Sequence, residues 1–249
     1  MDIVIKEEHY PSGALRTRCY YYNEQRHRDD GPALESFYPN GMLRAREWFH
    51  LNRPYRDDGP VEEQFWESGK LMSRIWCRTG KRHRLDGPAA EFFYEDGPVK
   101  SRQWYLDGVS HREGGPAYES YNPNGTIQSI IWHDQGRQHR LDGPAIETFY
   151  EDGSRRAIIW CHNDMQHRLG GPSLELFNQD GATTLREWYM NGVLHRADGP
   201  AKEYFSRDGR RTNAAYYLGG MPVPKVEYHR RAALLKLSVK KNTDREVSL

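Results

Sequence analysis

From Pro88 to Tyr94 the side chains alternate, with Ala89, Glu91 and Phe93 on one side and Ala90, Phe92 and Tyr94 on the other. A period of two predicts a β-strand. Asp96-Gly97 follows, a small polar residue before glycine, which is the strongest short signal for a hairpin. The return strand carries Trp104, and Asp107-Gly108 marks a second turn. The chain then reads His111-Arg112-Glu113-Gly114-Gly115-Pro116-Ala117, and the alternation begins again.

The whole pattern recurs every 28 residues without insertion or deletion. Gly-Pro pairs start at Gly31, Gly59, Gly87, Gly115, Gly143, Gly171 and Gly199. Tryptophan keeps the register at Trp48, Trp76, Trp104, Trp132, Trp160 and Trp188, with Tyr20 and Tyr216 in the flanking copies. A fixed period of this length means stacked repeats. The expected fold is all-β, an elongated antiparallel meander of β-hairpin repeats with two strands per unit. Proline cannot donate to a ladder and disfavours the α region before it, so Gly-Pro reads as a kink within one bent strand.

Three segments are expected. Residues 1–26 form an N-terminal partial repeat whose Ile3-Val4-Ile5 makes an edge strand blunted by Lys6, Glu7 and Glu8. Residues 27–222 are the repeat array. The register is lost after Gly220, where Pro222 and Pro224 deny ladder donors. Residues 223–249 then hold a C-terminal capping helix, over 226–240, and a tail. The same helix, basic on one face, is also a candidate for docking on a partner.

Composition narrows the class. Aromatic residues make up 12% and charged residues 29% of the 249. That is too polar for a thick aliphatic core and too aromatic for a disordered chain. The formal net charge of +1 argues against a protein that tracks a nucleic-acid backbone. Only nine of the 36 basic residues are lysine, and arginine's planar fork suits pairing and stacking between units. Cys77 and Cys161 hold the same position three repeats apart, roughly 29 Å at two strand spacings per repeat, too far for a disulfide. Free thiols, no signal-peptide pattern at the N-terminus and no long apolar run lead us to expect an intracellular location or the inside of a virus particle.

Six histidines share one position: His27, His83, His111, His139, His167 and His195. At about 10 Å between copies one ion cannot bridge them, so they are expected to be structural and no metal or cofactor is expected. Eight equivalent glutamates, from Glu7 to Glu203, do not resemble an active site, which is one asymmetric cluster. They are expected to accept bonds from the arginine after each histidine. No phosphate loop, nucleophile elbow or zinc-protease motif occurs, so no enzyme is expected.

The unit Trp104-Tyr105-Leu106-Asp107-Gly108-Val109-Ser110-His111-Arg112-Glu113-Gly114-Gly115-Pro116-Ala117 resembles the MORN-type repeats and their longer variants, such as those of large DNA viruses of amoebae and some bacteria and phages. The resemblance covers residues 7 to about 222. It implies a hairpin ribbon used for scaffolding and for protein or membrane-surface contacts, with no shared catalytic residue.

Function is therefore expected in positions that do not recur. The tryptophan ladder is expected to be core. The residues just before it face the other side of the strand, and there Ile131 and Ile159, with Ile75 and His133, are the candidate partner-binding residues. The expected activity is a non-enzymatic scaffold binding another protein, as a structural or packaged component of a large virus. The alternative is a module binding nucleic acid or an anionic membrane surface through arginine and aromatics. Self-association is also compatible with the array.

Seven units at about 10 Å each would span roughly 70 Å. Small-angle scattering should therefore give a maximum dimension well above that of a compact globule of equal mass. A compact profile from a monomer would contradict the stacking.

Overall fold

A computed structural model describes residues 2–231. Among them are 30 strands and one short helix at 225–231. The part of the expected helix from 232 to 240 lies outside the described residues. The chain divides into two compact units, Met1–Arg137 and Gln138–Leu249.

Both units are antiparallel meanders. In the first, Ala90–Phe93 pairs with Val99–Gln103 across the hairpin and with Leu71–Ile75 of the preceding repeat. Val99–Gln103 in turn pairs with Tyr118–Tyr121 of the next. In the second unit Leu174–Phe177 sits between Arg155–Ile159 and Thr183–Glu187 in the same way. Each full repeat thus gives two strands to the sheet, as the alternation predicts.

The bulge lies elsewhere than at Gly-Pro. The register shifts between Phe92 and Phe93, and between Leu176 and Phe177, at the mouth of each hairpin. The hairpin closes through Gly97 N–H to the Tyr94 carbonyl at 3.0 Å and Tyr94 N–H to the Pro98 carbonyl at 2.9 Å. Gly97 alone there takes a left-handed φ, +113°. That is a longer loop ending in a left-handed glycine, rather than a two-residue turn.

The segment around Gly-Pro is not strand. After Trp104 the chain makes a second, two-residue hairpin, Tyr105–Leu106 with Val109–Ser110, apart from the main sheet. Its turn residues Asp107 and Gly108 both have positive φ, 49° and 85°, the mirror-image turn that suits tight hairpins. Residues 111–117 then cross back as a loop. The sheet is rejoined where Trp104 N–H donates to the Ala117 carbonyl at 2.8 Å.

The small side chains Ala33, Ala89, Ala90 and Ala117 in the first unit and Ala145, Ser173 and Ala201 in the second are almost wholly buried, and His27, His83, Glu91, Glu187 and Glu203 are buried as well. Among the described residues the one cluster of buried hydrophobic side chains is Val223 with Tyr228, packed by Tyr216 and Leu218. It belongs to the C-terminal helix, whose Tyr228 ring lies 4.7 Å from that of Tyr216 and whose hydroxyl donates to the Arg196 carbonyl at 3.0 Å. At the other end Val4–His9 pairs with Leu15–Tyr22 and is exposed along its length.

Candidate functional site

The ladder tryptophans are half-buried. Five of them, Trp48, Trp76, Trp104, Trp160 and Trp188, are covered by the arginine that follows the histidine position, which in the Trp48 copy is Tyr55. The guanidinium carbon of Arg56 lies 4.1 Å from the Trp48 ring centroid, and Arg84 stands at the same distance from Trp76. Arg168 over Trp160 and Arg196 over Trp188 stand at 4.0 Å in the second unit. The glycine of Gly-Pro closes the other side. A Cβ on Gly59 would lie 2.7 Å from the Arg56 Cζ. Nε of Arg56 donates to Asp58 at 2.9 Å, and Nη1 to the Pro60 carbonyl at 3.4 Å. One guanidinium therefore accounts for Trp, Arg, Asp, Gly and Pro in the motif.

The expected pairing of these arginines with the recurring glutamates occurs in four copies, at 4.0 Å for Arg140–Glu147 and 3.9 Å for Arg196–Glu203 among them, and Glu147, Glu175 and Glu203 have a second arginine partner besides. Arg112 and Arg168 have glycine, Gly114 and Gly170, where the other repeats have Asp. Arg112 does reach Glu119 at 3.0 Å, and Arg168 stands 3.9 Å from Glu175. Elsewhere the glutamates meet a different arginine, two residues before tryptophan. Cross-strand registry sets Glu91 opposite both Arg74 and Arg102, at 2.6 and 3.5 Å. Arg46 bonds Glu63 likewise, and Arg186 bonds Glu175 at 3.0 Å. Opposite charges facing across strands contribute about 0.2–1 kcal/mol each. Ile158 interrupts the alternation between Glu147 and Glu175, and there Glu147 takes Arg155 at 3.2 Å instead.

The histidines link successive repeats. Nδ1 of His83 accepts the backbone N–H of Asp107 at 3.1 Å. His139, His167 and His195 accept from Asn163, Asn191 and Gly219 at 3.3, 3.1 and 3.0 Å. This bond requires an unprotonated Nδ1. In these four copies the histidine docks on the small hairpin of the following repeat.

The opposite face of the sheet varies from repeat to repeat. Ile75 lies between Glu62 and Ala90, Ile131 opposes Tyr118, and His133 meets the Ser110 hydroxyl at 3.0 Å. Ile159 is flanked by Ile146 and Leu174 on the neighbouring strands. Next to them Leu176 opposes Leu185 and Ala157. Ile146, Leu174, Leu176 and Leu185 do not precede a tryptophan; they come from other strand positions that strand pairing brings beside Ile159. The ion pair Lys202–Glu187, at 2.7 Å, borders this group. In the first unit the same face carries two facing carboxylates, Glu47 and Glu62. Burial, and then the facing Glu62, raise the Glu47 carboxyl above the ordinary range.

All three cysteines are free. Burial pushes the Cys161 thiol up to about 11, so it is a poor nucleophile. No helix among the described residues is long and apolar enough to cross a membrane.

No protein-family model matches the chain, and no curated protein matches it. Two solved structures to which the chain is similar are the TcdB2–TccC3–Cdc42 and TcdB2–TccC3 complexes, at 12% and 13% identity and a TM-score of 0.21. The matches cover 84% and 87% of this chain but only 12% and 13% of those chains. A likeness at that TM-score carries no argument about function.

Two outcomes test the arginine clip. Gly59→Ala should displace the Arg56 guanidinium from Trp48 and lower stability by about 1–2 kcal/mol, the scale of a partly buried cation–π contact and its hydrogen bond. In an Arg56→Ala background the same change should cost much less, which a double-mutant cycle on denaturation midpoints will measure. The second outcome concerns acid. Bonds from Arg28, Arg56, Arg84 and Arg140 hold the carboxyls of Asp30, Asp58, Asp86 and Asp142 below the ordinary range. Their stabilisation is present above the unfolded-chain pKa of about 3.9 and is lost as pH falls through the lower folded values. Stability should therefore drop on acidification below about pH 5, and changing all four to Asn should flatten that slope. An unchanged slope would remove these carboxylates from the account.

Proposed function

We propose that the chain is a non-enzymatic repeat scaffold that binds another protein through the variable face of its sheet. The division between the two faces carries this reading. One face is nearly the same in every repeat, and its charges and rings satisfy one another. The other face differs between repeats without changing the backbone. In the second unit it gathers Ile146, Ile159, Leu174, Leu176 and Leu185 on consecutive strands, all half-buried, beside the Lys202–Glu187 pair. An apolar patch rimmed by polar groups is a common mark of a protein contact.

The resemblance to MORN-type repeats supports a scaffolding role, in the setting of a large virus or its host. The alternative, contact with nucleic acid or an anionic membrane, draws less support. The recurring arginines are committed to tryptophan and carboxylates, and the net charge is +1.

The test is Ile159→Glu combined with Leu174→Glu in the full chain. The double variant should keep the circular dichroism spectrum and cooperative melt of the parent. It should lose a protein that the parent retains in affinity capture followed by mass spectrometry. Unfolding of the variant would make this face structural and defeat the reading. Capture of nucleic acid, with affinity falling steeply as salt rises, would favour the alternative.

A further inference from the structure

His27, like His111, does not make the bond that His83, His139, His167 and His195 make. The N–H that would correspond to that of Asp107 belongs to Leu51, 24 residues on. Yet the Nδ1 of His27 is buried without a hydrogen-bond partner, and the residue is only 2% exposed. Its Nε2 instead faces Asp29 Oδ1 at 3.4 Å. The same oxygen stands 3.7 Å from Nδ1 of His50, contributed by the next repeat, and the two imidazole centroids are 4.7 Å apart.

We propose that His27, Asp29 and His50 form a binding site for a divalent first-row metal ion of the zinc class. The three donor atoms lie within 4.8 Å of one another, and no other three such side chains converge so among the described residues. Bonds of about 2.0–2.1 Å in a tetrahedron place ligands roughly 3.4 Å apart, so the observed separations need close by only a few tenths of an ångström at the two measured edges. Two imidazoles with one carboxylate suit zinc, cobalt or nickel rather than magnesium or calcium, which prefer all-oxygen sites. Three protein ligands leave a fourth position for water.

The surroundings favour a cation. A cleft of about 650 Å³ beside the site is lined by four carboxylates, Asp29, Asp30, Asp57 and Asp58, against two guanidinium groups, Arg28 and Arg56, together with His50 and Tyr55. Three of these carboxylates are occupied, Asp30 by Arg28, Asp57 by the Tyr55 hydroxyl and Asp58 by Arg56. Asp29 faces the two imidazoles. The second unit supplies an internal control. His139 and His162 occupy the positions of His27 and His50 with ring centroids 4.8 Å apart, but Leu141 stands where Asp29 would be.

The experiment is calorimetric titration of the chelator-stripped full chain with Zn²⁺ alone, and with Co²⁺ followed by visible absorption. One ion should bind per chain, with the intense ligand-field bands of tetrahedral cobalt. His50 and Asp29 have half-exposed and exposed side chains, at 52% and 68%, so His50→Gln and Asp29→Asn should fold as the parent does. Each should weaken binding at least about tenfold, whereas His162→Gln should leave it unchanged. Binding should also raise the melting temperature of the parent but not of His50→Gln. Absence of binding, binding indifferent to both ligand substitutions, or loss of binding in His162→Gln would each overturn the site.

Discussion

The structure depends on one contact, an arginine guanidinium laid flat on an indole ring. The ring sits where the strand gives way to the small hairpin, and the arginine sits where the chain leaves that hairpin. The contact therefore fixes the crossover loop against its own strand. The guanidinium edge donates to Asp and to the proline carbonyl, and its far side needs a residue with no Cβ. A cation covering an aromatic face is favourable without full exclusion of water. That lets a repeat hold together while its ladder ring stays half-buried.

Among the described residues the strands are held mainly by local and lateral contacts. Repeats share strand hydrogen bonds, cross-strand Glu–Arg pairs such as those of Glu91 with Arg74 and Arg102, and, in four copies, a histidine bond to the next small hairpin. The tyrosines at the ends of the first strands add another link, since Tyr94 donates to the Tyr121 carbonyl at 2.9 Å and Tyr150 to that of Phe177 at 2.9 Å. Near the C-terminus the pattern stops where the register does. Tyr228 of the helix lies against the ring of Tyr216, in the place that an arginine takes against tryptophan elsewhere. An aromatic ring covers the last exposed ring and also satisfies a carbonyl of the preceding repeat.

Departures from the repeat carry the individuality of the chain. Gly114 and Gly170 remove the carboxylate of the clip, and Arg112 turns to Glu119. Ile158 removes a charge from the ladder and Glu147 finds Arg155. These substitutions are absorbed on the conserved face. On the variable face they accumulate as an aliphatic group in the second unit and two facing carboxylates in the first. At His27 and Asp29 they leave a buried imidazole free of the structural duty that four other copies perform.

The sequence by itself determined the repeat length, the all-β class, both turn positions and the sheet's two strands per repeat. These follow from strict spacing and from period-two alternation, which are local properties. It did not determine which arginine meets which glutamate. Arg74 lies 17 residues before Glu91 and Arg186 lies 11 after Glu175. Only strand registry brings them together, including a bulge that no local signal marks. Nor could it show that Gly-Pro lines a loop rather than a bent strand, because both satisfy proline's backbone limits. The convergence of His27, Asp29 and His50 was hidden for the same reason. His50 belongs to the next repeat, and stacking across the small hairpins, which the tertiary structure alone decides, carries its ring to the other two.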